Sequence, residues 1–268
     1  MTPPLPITTV LLRAPMVLTQ AVIERVLESF PRAAKAEFVT LAEEGQAATV
    51  RIDGRSYAIY CDAEPAMPEL FAKALAHPEG GALGPLVDEH RAFLSVVCLG
   101  RRAPMEEAVL MASAVHLLAA RLGAFGEPLA GFWPASERLC PWDEFTAYGE
   151  VVVPCLAGES DVAFPSRFWV SVQLKQSGET DPTFGAETEG LGIFTGYEID
   201  MAPVPWTMQA VAERMVDIVA YLFSAGPVLR DGETLGATEE ERFHISMDED
   251  GRVMRLDLED HSTLVGAP

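Results

Sequence analysis

A pair of Asp-Gly dipeptides, Asp53-Gly54 and Asp250-Gly251, restricts the possible folds of this chain more than any other pattern in its sequence. The most favoured two-residue hairpin turn needs positive φ at both central residues, and Asp-Gly adopts that conformation readily. Short β-type segments flank both dipeptides: 49–53 and 57–61 around the first, 243–247 and 254–258 around the second. The sequence therefore predicts a hairpin near each end of the chain, and a sheet that is antiparallel in part.

Helical and strand patterns alternate between these hairpins. The almost continuous apolar run 92–99 predicts a central strand that is covered on both faces. Pro104 begins a helix that runs to about Leu122 and is apolar on nearly all sides, so it is expected to be buried. Thr207 introduces a second long helix with one apolar stripe, which Gly226 ends.

Strands thus occur both as hairpins and as strand, helix, strand units. This mixture predicts an α+β fold, with mixed, mostly antiparallel sheets and helices packed on one face. Two ferredoxin-like lobes are the favoured arrangement, an N-terminal lobe over 1–134 and a C-terminal lobe over 135–268. The stretch 135–143 has no linker composition, so one continuous domain is the alternative. Within the second lobe, 168–174 is expected to be a strand and Thr195-Gly196 a further tight turn.

The charge balance limits the partners that this chain can attract. It has 40 Asp and Glu against 19 Lys and Arg, for a formal charge of -21. That excess argues against nucleic acid or an anionic membrane as a partner and favours a basic one, although acidity that serves solubility alone is the simpler explanation. The longest uncharged helical stretch, 108–120, is too short to span a bilayer.

Four cysteines at positions 61, 98, 140 and 155 match neither a zinc-binding nor a redox spacing and indicate small buried side chains. With no export signal, this composition predicts a cytoplasmic protein. Gly190, Gly192 and Gly196 resemble a dinucleotide-binding loop, but the third glycine comes one position late and no helix is expected to begin there. No cofactor is therefore predicted.

Metal-binding and catalytic patterns are similarly incomplete. Asp248, Asp250 and Glu259 match three positions of a calcium loop, but Arg252 and Val253 replace the required oxygen ligand and glycine. His116 is interpreted as a core histidine with satisfied hydrogen bonds. No catalytic residue and no metal ligand is predicted, although a triad assembled from distant residues stays open.

The candidate site consists of four carboxylates spaced by two. These are Glu187 with Glu189, and Glu198 with Asp200. On strands, this spacing places both members of a pair on one face. Three interpretations are open: a surface that binds lysine and arginine of a partner, an acid–base pair, or a solvated sheet face without function.

Three segments of the second half form a distinctive set: 191–200 (LGIFTGYEID), the preceding 165–170 (PSRFWV) and the later 229–236 (LRDGETLG). They resemble a bacterial family known only as domain-of-unknown-function family 4261. Thr195 departs from the family pattern by separating Phe194 from Gly196. The resemblance implies a shared fold and brings no reaction or catalytic residues, while some relatives resemble components of toxin–immunity or secretion systems.

The leading hypothesis is a non-enzymatic, cytoplasmic protein-binding module, of the immunity type, which neutralises a basic bacterial effector or toxin. A hydrolase or transferase with a dispersed active site is one alternative, and a structural subunit of a bacterial secretion assembly is another. The sequence does not indicate the oligomeric state.

Overall fold

A computed structural model describes residues 5–77, 80–159, 163–236 and 241–259, and it divides into two compact units, Met1–Trp169 and Val170–Pro268. Helices and strands occur in similar amounts, and the strands form two mostly antiparallel sheets, which confirms the predicted α+β class. No helix within these described ranges is long and apolar enough to cross a membrane.

Seven strands form the sheet of the N-terminal unit, in the order β2-β3-β4-β5-β1-β6-β7. They are β1 (Ile7–Leu12), β2 (Ala36–Leu41), β3 (Ala47–Ile52), β4 (Arg55–Asp62), β5 (Ala92–Leu99), β6 (Pro128–Trp133) and β7 (Arg138–Pro141). Asp53 and Gly54 join β3 to β4 with φ of 49° and 78°, the positive values that the predicted turn requires. The first predicted hairpin is therefore confirmed.

Helices lie against both faces of this sheet. They are α1 (Gln20–Glu28), α2 (Ala72–Ala76), α3 (Gly84–Glu89), α4 (Met105–Gly123), α5 (Trp142–Val151), α6 (Val153–Leu156) and α7 (Ser166–Trp169). α4 packs on β1 and β5 and is buried along nearly all its length, as its apolar composition predicts. Leu11 of β1, with the opposite orientation to Val10, joins a second apolar cluster that includes Phe71 and Val87. Helices on one face only, the predicted arrangement, thus do not describe this unit.

A ferredoxin-like order of elements is present in the N-terminal unit. Its β1, α1, β4, β5, α4 and β6 follow the βαββαβ order, with the β2–β3 hairpin inserted before β4 and the short helices α2 and α3 inserted between β4 and β5. The unit extends beyond the predicted boundary at residues 134/135. The reason is that β7 pairs with β6 and α5 packs on α4, so the segment after 134 completes this core instead of starting another.

Six strands form the sheet of the C-terminal unit, in the order β11-β12-β13-β10-β9-β8. They are β8 (Ser171–Ser177), β9 (Thr183–Glu189), β10 (Glu198–Val204), β11 (Thr234–Leu235), β12 (Phe243–Met247) and β13 (Val253–Leu258). The β12–β13 hairpin is present as predicted, but its loop spans 248–252 and of the Asp250-Gly251 pair only Gly251 has positive φ, so the turn is not the predicted two-residue type. This unit does not follow the βαββαβ order, because β8, β9 and β10 form an antiparallel run before the long helix that follows β10.

That long helix, α9 (Met208–Ala225), covers one face of the second sheet. The Thr207 side chain accepts a hydrogen bond from the Ala210 amide and so caps it, as predicted. Val211, Met215 and Leu222 are buried along its inner stripe. Because strand side chains alternate between faces, the residues between the apolar ones point away from α9.

Two local predictions differ from the structure. Thr195-Gly196 is not a tight turn between strands; a short helix, α8 (Gly192–Thr195), lies between β9 and β10, and Gly196 ends it with φ of 93°. The strand predicted over 168–174 begins only at Ser171, because residues 166–169 form the turn of helix α7. In both places the chain forms a short helical turn where the sequence predicts an extended structure. Short apolar segments of this kind occur both in strands and in helical turns, so composition alone does not distinguish them.

Candidate functional site

The structure brings the four predicted carboxylates to one face of the β9–β10 pair. The two strands are antiparallel, and Asp200 lies directly opposite Glu187. Alternation then places Glu189 and Glu198 on the same side, away from the apolar residues Ala186 and Ile199. We call the side formed by Glu187, Glu189, Glu198 and Asp200 the carboxylate face. All four residues are half-buried.

Lys175 of β8 connects two of these carboxylates, a role that the sequence does not reveal. Its Nζ lies 3.0 Å from Glu187 Oε2 and 2.6 Å from Asp200 Oδ1. Burial lowers the pKa of the ammonium, but the hydrogen bonds to Asp200 and Glu187 outweigh that effect, so the pKa is raised. One cation is thus shared between two anions, and this trio keeps a net negative charge.

Glu198 has a different role, because its carboxylate is held by the turn that follows β9. Oε1 accepts hydrogen bonds from the amides of Gly190 at 3.0 Å and Gly192 at 2.8 Å, and Oε2 accepts one from the Leu191 amide at 3.2 Å. The Thr188 hydroxyl adds a bond of 2.7 Å. Burial raises the pKa of Glu198 above its ordinary value, against these hydrogen bonds. Glu198 therefore organises the turn instead of facing a partner.

The same contacts explain the glycines that resemble a dinucleotide loop. Gly190 and Gly196 have positive φ, and a Cβ at position 192 would lie 3.0 Å from Glu198 Oε1. The amides that a phosphate would need are occupied by Glu198, and α8 has only four residues. These glycines thus serve the conformation of the turn.

His116 is a buried core histidine, as its apolar sequence context predicts. Its Nε2 donates to the Phe145 carbonyl at 3.0 Å, and its Nδ1 accepts from Trp169 Nε1 at 3.2 Å. The ring stacks on Phe145 with centroids 4.4 Å apart. Burial lowers the pKa of His116 to about 4, so the ring is neutral near pH 7. Both nitrogens are engaged in the core.

The incomplete calcium-loop pattern belongs to a hairpin turn. Asp248 Oδ1 accepts hydrogen bonds from the amides of Arg252 at 2.6 Å and Val253 at 3.0 Å. These hydrogen bonds lower the pKa of Asp248, and the bond from the Val253 amide has the largest effect. Over the ranges that the structure describes, no three His, Cys, Asp or Glu side chains are grouped to hold a metal ion. The four cysteines are buried and unpaired, as predicted.

Charge is distributed unevenly between the two units. Val170–Pro268 contains 19 Asp and Glu against 6 Lys and Arg, for a formal charge of -13. Met1–Trp169 contains 21 against 13, for a formal charge of -8. The shorter unit, which bears the carboxylate face, therefore carries most of the negative charge.

Comparison with known proteins finds a family match that covers this face. No curated protein and no solved structure matches the chain. A family match extends over residues 187–257, which include all four carboxylates and most of the second sheet. This confirms the family that the segments around 191–200 resemble. Residues 187–257 of this chain are similar to the family described as Domain of unknown function (DUF4261).

Proposed function

We propose that this protein is a non-enzymatic, cytoplasmic binding module that captures a basic protein through the carboxylate face. In its most specific form, the proposal is an immunity-type protein that neutralises a basic bacterial effector or toxin. The observation that carries it is the position of Glu187 and Asp200, the accessible pair of the carboxylate face, opposite each other on neighbouring strands of a unit with a formal charge of -13.

Electrostatics supports capture of a cationic surface. A dense field of one sign steers an oppositely charged partner and speeds its association, and it repels partners of the same sign. Glu187 and Asp200 keep 47% and 33% of their side chains exposed while they bind Lys175, so they remain accessible to arginine or lysine of a partner. Strands and ion pairs hold these groups in fixed positions, which reduces the ordering cost of binding.

Apolar side chains on the α9 side of the same sheet would add contacts that slow dissociation. Leu174 on β8 is 40% exposed, and Met208 at the start of α9 is 50% exposed. Most interface energy comes from a few desolvated anchors, while rim charges act chiefly on the association rate. In this unit, the negative charge would therefore increase the association rate, and a small number of apolar side chains would decrease the dissociation rate.

The enzymatic alternative depends on a titratable group that faces a substrate. His116 has a strongly lowered pKa, but both of its ring nitrogens are bound within the core. Glu198 has a raised pKa, but its carboxylate holds the 190–192 turn. The side chains of His116 and Glu198 are thus hydrogen-bonded to groups that stabilise the fold and do not face a substrate. This favours the binding proposal over an enzymatic function.

The test is a binding assay between this protein and the purified products of neighbouring genes, at low and at physiological ionic strength. We expect one basic product to bind, and we expect its affinity to fall as the Debye length shortens from about 30 Å to about 8 Å. Absence of binding, or an affinity that does not change with salt, would contradict the proposal.

A pair of double variants separates the face from overall charge. Glu187→Gln with Asp200→Asn removes two charges from the carboxylate face and leaves Lys175 without its two acidic partners. Glu43→Gln with Glu44→Gln removes two exposed charges from a turn of the N-terminal unit. The first variant should weaken binding by tenfold or more, about 1.4 kcal/mol, and the second by less than about threefold. Equal effects would show that net charge alone acts.

A further inference from the structure

The four edges of the two sheets differ in how well they are protected against pairing with another strand. In the first sheet, β2 is interrupted by a register shift between Phe38 and Thr40, and β7 has four residues and ends at Pro141. In the second sheet, β11 has only two residues. Bulges, prolines and short length are the usual means by which proteins block edge pairing. These three edges are therefore blunted.

The fourth edge, β8, has none of these features. It has seven residues without proline, and its register with β9 is continuous from Ser171 opposite Glu189 to Ser177 opposite Thr183. Within the described part of the chain, no strand pairs with its outer side. Its second half, Leu174 to Ser177, is mostly exposed. A regular, unpaired edge of this length is a template for one more strand.

Lys175 does not guard this edge, although lysine is a common edge protector. Its ammonium reaches inward over the sheet, to Glu187 on β9 and Asp200 on β10. The side chain therefore leans away from the outer side of β8. Its charge is also compensated there, so it does not repel a cationic strand as an outward lysine would.

We propose that β8 is a docking strand to which the partner adds an extended segment with alternating basic and apolar residues. This inference rests on the proposed function and states how the partner is held. Basic side chains of the added strand would point to the same side of the sheet as Glu187 and Asp200, with β8 between them, and its apolar side chains would point to the side of Leu174. Backbone hydrogen bonds would supply affinity, and the side chains would supply specificity.

The charges around β8 favour a cationic segment over a second copy of this chain. Glu179 and Asp181, in the loop after β8, are exposed, and Glu187 lies on the next strand. A second copy would bring another unit with a formal charge of -13 to the same edge. Like charges at that density disfavour self-association, whereas lysine and arginine are attracted.

The experiment measures binding of a seven-residue peptide of alternating lysine and valine to the full chain by fluorescence anisotropy. Hydrogen exchange of residues 171–177 is followed in parallel. We expect the peptide to bind, and we expect the β8 amides to exchange more slowly when it is bound. The same peptide with alternate backbone nitrogens methylated should bind at least about tenfold more weakly, the loss expected for one or two backbone hydrogen bonds.

Two protein variants provide a matched comparison. Leu174→Lys places a charge on the exposed edge strand, and Val228→Lys places the same charge at a position of similar exposure, 39% against 40%. The first should weaken peptide binding by about tenfold and the second by less than about threefold. Equal weakening would overturn the role of β8.

The outcomes distinguish this inference from the proposed function. If the peptide binds with salt dependence but methylation has no effect and β8 is not protected, strand addition is wrong while capture by the carboxylate face stands. If neither the peptide nor any basic protein binds, both fail. Protection of β8 that rises with protein concentration, without peptide, would show pairing with a second copy and would also overturn the inference.

Discussion

The two units of this chain treat the faces of their sheets differently. In the N-terminal unit, α4 packs on one face and the Leu11–Phe71 cluster lies on the other, so most strand side chains are interior. In the C-terminal unit, α9 covers the apolar face and the other face presents the carboxylates. When helices cover only one face of a sheet, every second residue of its strands faces solvent. Polar side chains that recognise a partner can lie on that exposed face. We therefore expect buried polar residues of the first unit to stabilise the fold. In the second unit, we expect some polar residues to stabilise the fold and others to bind a partner.

The largest expected effect is the loss of the buried histidine. His116→Ala leaves a cavity among Phe145, Trp169 and their neighbours, and it removes the partners of a carbonyl and an indole N–H. We expect a loss of about 3 to 5 kcal/mol in the free energy of unfolding, measured by urea denaturation with tryptophan fluorescence. His244→Ala, at an exposed position of β12, should cost less than about 0.5 kcal/mol. Similar losses in the two variants would contradict the assignment of His116 to the core.

Acid should weaken the chain through the same histidine. The pKa of His116 is about 4 in the folded state and about 6.5 when unfolded, so the unfolded state binds more protons between these values. Its contribution is complete above pH 6.5 and is lost as the pH falls towards 4, with a total of about 3 kcal/mol. The difference in unfolding free energy between the wild type and His116→Asn should shrink over this range. A difference that is independent of pH would contradict the lowered pKa.

In the C-terminal unit, Glu198 and Glu187 test whether carboxylates on one face have separate roles. Glu198→Ala leaves the amides of the 190–192 turn without their acceptor and should cost about 2 kcal/mol. Glu187→Ala removes one partner of a half-exposed ion pair and should cost less than about 1 kcal/mol. Urea denaturation measures both. A larger loss from Glu187→Ala would reverse the roles given to these residues.

The smallest expected effects come from the hairpin turns, which should behave alike in both units. Gly54 and Gly251 have φ of 78° and 67°, and a Cβ added at either position would meet open space, so alanine is strained by conformation alone. Each Gly→Ala change should cost about 1 kcal/mol in thermal or urea denaturation. Gly84→Ala also meets open space, but Gly84 has negative φ at the start of α3, so we expect no loss there. A loss at Gly84 of equal size would contradict the explanation by φ.

The features that sequence predicts well are local ones. Asp53-Gly54, the strand at 92–99 and the Thr207-capped helix depend on turn conformation, hydrophobic run and capping within a few residues, and the structure confirms all three. It is equally predictable that Glu187 lies on the same strand face as Glu189, and Glu198 on the same face as Asp200, because side-chain alternation depends only on spacing within one strand. These elements require no knowledge of which strand lies beside which.

The features that sequence misses depend on neighbours that are distant along the chain. Lys175 reaches Asp200 only because β8, β9 and β10 pair in a particular register, which no spacing in the sequence shows. Glu198 is equivalent to Glu187 by spacing, and only the fold of the 190–192 turn over its carboxylate separates the two. The first unit runs to Trp169, past the predicted boundary at 134/135, and the pairing of β7 with β6 that extends it has no compositional signal.

Chemical-shift mapping of backbone amides in the full chain tests most directly whether the carboxylate face binds a basic ligand. The ligand is the basic partner or, before one is identified, the lysine–valine peptide. Binding at this face predicts that the largest shift changes lie in β8, β9 and β10, and that they diminish as ionic strength rises from about 0.01 M to about 0.15 M. Changes concentrated in the N-terminal unit, or changes that do not respond to salt, would contradict it.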